Sequence, residues 1–98
     1  MEITYKNKKI EQICTNAKVS DKAYGAQMSE KIQLRIDQIH AAESVEKMIE
    51  WNIGRCHPLT GDRKGQFAVD LVHPRRMVFE KHGDVIQIAH ITEIVDYH

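Results

Sequence analysis

The spacing of apolar positions changes once along the chain, from a helical period to an alternating one. At the start, "EITY" at residues 2–5 alternates polar and apolar side chains and predicts a short strand. Ile10, Ile13, Cys14 and Ala17 then recur at the i, i+3, i+4, i+7 spacing of a helix with one buried face. Ser20 or Asp21 can cap a second helix, whose buried stripe is Met28, Ile32, Ile36 and Ile39 and whose outward positions include Lys31, Arg35 and Asp37. Gly25 falls near its start. Ser44 reads as the N-cap of a brief helix carrying Val45, Met48 and Ile49. The run "NIGRCHPLTGDRKG" that follows has three glycines and a proline and no period, which predicts a long loop leading into a sheet.

Beyond Gly65 the alternation takes over. Phe67, Val69 and Leu71 interleave with Gln66, Ala68 and Asp70, as in a strand covered on one face. "VHPRR" turns the chain, "RRMVFE" is a second strand, and "KHGD" is a turn in which Gly83 is free to take positive φ. "VIQIAHITEIVDY" supplies one long or bulged strand. Helices followed by a meander predict an α+β fold of two layers, with two N-terminal helices packed on an antiparallel β-sheet.

Ninety-eight residues with 42% apolar content suit one compact domain, residues 1–98, with a single core. No apolar run approaches the roughly 20 residues that span a bilayer, and the start lacks the pattern of a secretory signal, so the expectation is a cytoplasmic protein without a membrane partner. Cys14 and Cys56 have no CxxC spacing and are expected as packed thiols. Lys and Arg number 14, Asp and Glu also 14, which argues against an unselective polyanion binder. The balance is uneven along the chain. Residues 55–82 hold Arg55, Arg63, Lys64, Arg75, Arg76 and Lys81 against Asp62, Asp70 and Glu80, so an anionic partner is expected there.

Two stretches carry a family resemblance. "CHPLTGDRKGQFAVDLVHPRRMVFE", followed by the closing "EIVDYH", resembles the HigB group of host-killing toxins within the RelE/ParE toxin superfamily. In that group an L-H-x-L-x-G-x-R-x-G run leads into a strand, an Arg-aromatic or Arg-aliphatic strand follows, and the chain closes on D-Y-H. Cys56 stands where the pattern has Leu, and Thr60 where many relatives carry Lys. The resemblance covers essentially the whole chain. It implies a RelE/ParE-like fold and the toxin of a type II toxin–antitoxin system: a ribosome-dependent mRNA endoribonuclease, or mRNA interferase, that blocks translation. Its implied partners are the ribosome and mRNA, and a HigA-like helix-turn-helix antitoxin through which alone it would meet operator DNA. His57, Arg76, Asp96, Tyr97 and His98 match the group's catalytic positions.

The residue types suit that chemistry on their own terms. Cleaving RNA through its 2′-hydroxyl requires a base for that proton, an acid for the departing 5′-oxygen, and cations against the charge growing on the phosphoryl oxygens. His57 and His98 can exchange base and acid roles near neutral pH, and Arg76 offers a planar fork of donors to phosphate. Tyr97 can stack on a base or bond to ribose or phosphate, while Asp96 would fix a tautomer or position a donor. Arg55, Arg63, Lys64 and Arg75 are the candidate contacts to RNA and ribosome. No metal or other cofactor is expected. His40, His73, His82 and His90 are expected to be exposed or capping. The runner-up reading is a ParE-like toxin that inhibits DNA gyrase without nuclease residues; a third is an inactive relative that keeps only the fold.

Overall fold

The structure is a computed structural model that describes residues 1–96. Strands β1 (Glu2–Tyr5), β2 (His57–Pro58), β3 (Gln66–Asp70), β4 (Arg75–His82) and β5 (Ile88–Asp96) form one five-stranded sheet in the order β1-β5-β4-β3-β2. Helices α1 (Lys8–Thr15), α2 (Ala17–Tyr24), α3 (Ala26–Ala41) and α4 (Val45–Glu50) complete the fold. Ile13, Ile32, Ile39 and Met48 from the helices meet Val69, Met77, Phe79 and Ile91 from the sheet in one core. Each such side chain, fully buried, contributes about 1.5–3 kcal/mol of apolar transfer energy. Among the described residues no helix is long and apolar enough to cross a membrane.

The expected α+β layering is present, with four α-helices and a mixed sheet among the described residues. β2 to β5 pair antiparallel, whereas β1 runs parallel to β5, with Glu2 opposite Ile88 and Tyr5 opposite Ile91. A parallel neighbour requires a long crossover, and the intervening helices and meander provide it. This corrects the all-antiparallel expectation.

The expected first helix ends early. Asn16 closes α1 by donating its backbone N–H to Gln12, and its side-chain oxygen accepts from the Lys18 amide to open α2. Ala17 is consequently exposed at the start of α2 and does not join the Ile10, Ile13, Cys14 stripe. Neither Ser20 nor Asp21 is a cap. Ser20 is buried within α2, its hydroxyl 2.6 Å from that of Ser29 on α3, and Asp21 accepts the Gly25 amide where α2 stops. Gly25, at φ 90°, then turns the chain into α3.

Two further positions depart from the pattern. Arg35, expected outward, is half-buried and donates from Nε to the Asp70 carbonyl at 2.6 Å. Burial lowers its pKa, opposed by the nearby Asp70 carboxylate. Ile49 is exposed on α4 rather than buried. The last strand begins only at Ile88, leaving Val85 and Ile86 exposed in the β4–β5 connection. Its bulge is present, as the sequence suggested, opposite Val78 and Phe79.

Candidate functional site

The side of the sheet away from the core collects most of the candidate residues. Cys56 is buried in the core, and the pleat sends its neighbour His57 to the opposite face. His57 on β2 pairs with Ala68 on β3, Ala68 with Val78 on β4, and Val78 with Glu93 on β5, so these four share one row on that face. One step along, Asp70, Arg76 and Val95 form the next row. Strand spacing and rise put the His57 and Arg76 backbones roughly 12 Å apart, within reach of two long side chains converging on one ligand.

His57 is half-buried and its Nδ1 lies 2.9 Å from the Arg55 carbonyl. A carbonyl can only accept, so Nδ1 donates to it, and the lone pair of the neutral tautomer then falls at Nε2. Arg55 itself sits in the left-handed region at φ 54°. Its guanidinium grips the Asp70 carboxylate at two points, Nε to Oδ2 at 2.7 Å and Nη2 to Oδ1 at 3.4 Å. Asp70 thus lies between Arg55 and, by register, Arg76.

Arg63 comes from the loop between β2 and β3. Its Nε donates to Gln66 Oε1 at 2.9 Å, and Nη2 pairs with the Glu93 carboxylate. Gln66 is on β3 and Glu93 on β5, so the Arg63 side chain crosses over β4 between them. Lys64 is exposed in the same loop.

Arg75 and Asp96 stand on the other side. They pair in register, Arg75 Nε lies 3.1 Å from Asp96 Oδ1, and the guanidinium lies over the Tyr24 ring of α2 at 4.8 Å. Both line a cavity of about 390 Å³ with Tyr24, Met28 and His73. The structure therefore brings His57, Arg76, Arg55 and Arg63 to one face and leaves Arg75 and Asp96 on the helix side. Tyr97 and His98 lie outside the described residues.

Three carboxylates join these residues on the same face: Asp70 and Glu80, which the sequence offered only as acids set against the basic residues of 55–82, and Glu93, which it did not single out. Their signal is cross-strand charge pairing, which needs the register to be read. Burial pushes both Cys14 and Cys56 thiols up to about 12, so neither serves as a nucleophile in the folded protein. Among the described residues no three His, Cys, Asp or Glu side chains gather as a metal site.

No protein-family model matches the chain, and no curated protein matches it. Among solved structures, a YoeB/ParE toxin from Agrobacterium tumefaciens is similar over 100% of both chains, with a TM-score of 0.64 and 17% sequence identity. At that identity the likeness is one of fold.

Proposed function

We propose that this chain is the toxin of a type II toxin–antitoxin system and acts as a ribosome-dependent mRNA endoribonuclease. The observation that carries the reading is His57, its Nδ1 anchored on the Arg55 carbonyl, on the same open sheet face as Arg76. The fold likeness to a YoeB/ParE toxin supports the toxin class. In this reading His57 and His98 share the base and acid roles, and Arg76 neutralises charge on the phosphoryl oxygens. Tyr97 holds the RNA. Asp96, salt-bridged to Arg75, is a positioning residue that ties the end of β5 to β4. Lys64, Arg55 and Arg63 contact phosphate. The partners are the ribosome with its mRNA and a HigA-like helix-turn-helix antitoxin, and the setting is cytoplasmic.

A second reading has its own observation. On the face that carries His57, Arg55 and Arg63 are each matched to a carboxylate, Asp70 and Glu93, which leaves that face better balanced for a protein target than for a polyanion. A gyrase-directed toxin of the ParE kind fits that balance. Tightly controlled expression with mapping of mRNA 5′ ends against ribosome position separates the two. The proposed function expects in-frame cleavage on translating ribosomes that disappears in His57→Gln and His98→Gln. Growth arrest without cleavage, accompanied by gyrase–DNA breaks, would establish the second reading instead.

A further inference from the structure

The same sheet face holds a second constellation, on the far side of Arg63 from His57. A cavity of about 190 Å³ is lined by Lys6, Gln66, Glu80, His90, Thr92 and Glu93. Its polar side chains are held from behind. Arg63 bonds to both Gln66 and Glu93. His82 lies 3.1 Å from Glu80 through Nε2, and Thr4 Oγ1 lies 2.7 Å from His90 Nδ1. His82 also stacks on His90, ring centroids 5.3 Å apart and planes 22° apart. His82 covers one face of His90 and does not line the cavity, which leaves the other face of His90 for a ligand there.

The donor and acceptor pattern narrows the ligand. Gln66 spends its oxygen on Arg63, which leaves its amide N–H groups for a ligand acceptor. Arg63 and His82 each take one oxygen of a carboxylate, whereas a carboxylate offers about four acceptor sites, so Glu93 and Glu80 keep capacity to accept. An imidazole face flanked by carboxylates suits a flat ring with adjacent N–H donors. Among RNA bases only guanine offers two such donors, N1–H and N2–H₂, side by side, and its O6 can accept from the Gln66 amide. Lys6 at the cavity's edge suits the attached phosphate.

Building on the reading of the protein as an RNA-cleaving toxin, we propose that this cavity is a guanine-binding subsite for single-stranded RNA. Glu93 or Glu80 reads the base's donor edge, His90 stacks on its ring, and Arg63 is the positioning residue behind them. Register and strand spacing put His90 roughly 16 Å from His57, so the subsite reads a base other than the one whose 2′-hydroxyl reacts.

The test is titration of the full chain with the four nucleoside 5′-monophosphates, followed by amide NMR shifts. These probes lack an internucleotide bond and report the subsite independently of cleavage. The proposal expects GMP to shift Gln66, His90, Thr92 and Glu93 and to bind about tenfold or more tighter than AMP, CMP or UMP. Glu93→Gln and Glu80→Gln are compared for loss of that preference, and His90→Ala should weaken all four nucleotides. Total affinity is not the readout for Glu93→Gln, because releasing Arg63 strengthens any phosphate contact. Equal binding of all four nucleotides, shifts outside the cavity, or retention of the GMP preference when both carboxylates are replaced together would overturn the subsite. Absence of mRNA cleavage by a wild-type chain that still prefers GMP would instead overturn the nuclease reading and leave the subsite standing.

Discussion

A histidine's chemistry depends on which ring nitrogen is already committed, and at His57 that is Nδ1, held by the Arg55 carbonyl. Replacing His57 with Gln keeps a hydrogen-bonding side chain but removes the titrating nitrogen, so cleavage should fall by about 10²–10⁴-fold. Urea unfolding should hardly change, because His57 is not in the core. Glu46 contributes to the response to acid. Hydrogen bonds from Gln87 and Lys81 hold the Glu46 carboxyl down at about 2, against its usual 4.5. A depressed carboxyl contributes stability that is complete above 4.5 and is lost as pH falls toward 2. Urea midpoints measured between pH 5 and pH 2 should therefore fall less steeply for Glu46→Gln than for the wild type. Equal slopes would mean that the contacts of Glu46 are spent in solvent.

At the scale of elements, glycine and asparagine decide where segments begin and end. Gly83 sits at φ 91°, and a Cβ there would lie 2.2 Å from the Ile86 carbonyl oxygen, so Gly83→Ala must open the β4–β5 connection. Strain at such a position costs about 1–3 kcal/mol, and the steric conflict adds to it; chemical denaturation reads the loss. The positive φ of Gly83 was legible from "KHGD", because few residues but glycine take it comfortably. The stripe Met28, Ile32, Ile36, Ile39 was legible from its spacing: Met28, Ile32 and Ile39 are buried and Ile36 is partly buried against the core. What surrounds Asn16 was not. An Asn inside a short polar stretch can continue a helix or interrupt it, and here Ser20 meeting Ser29 rewards the interruption by packing α2 against α3. The partner of β1 was equally hidden, since nothing in four residues specifies pairing with a strand 86 positions later. Arg35 was misplaced because its carbonyl partner at Asp70 exists only once α3 lies across the end of β3.

For the whole molecule, the two faces of the sheet separate residues that stand side by side in sequence. Side chains alternate along a strand, so Arg75 and Arg76 point oppositely, one to Tyr24 and Asp96, the other to the row of Asp70. The residue types at the candidate site were readable from sequence, but their division between faces was not, because it follows from register and from which face the helices cover. The division yields a paired experiment. If RNA docks on the open face, Arg76→Ala removes an electrostatic contact to the reacting phosphate, and cleavage should fall by about 10²–10³-fold, as for loss of a preorganised donor. Arg75→Ala should leave the RNA salt dependence unchanged and lower stability instead, through the lost stacking on Tyr24 and the ion pair at the end of β5. Lys64→Ala should reduce the slope of log affinity against log salt by about 0.7, the value for one phosphate contact on a single strand. Arg63→Ala is expected to change that slope less than Lys64→Ala, since Glu93 already neutralises Arg63 in the folded protein. Equal losses of cleavage in Arg75→Ala and Arg76→Ala, at matched stability, would mean that the RNA reaches round the edge of the sheet and that the open face is not the docking surface.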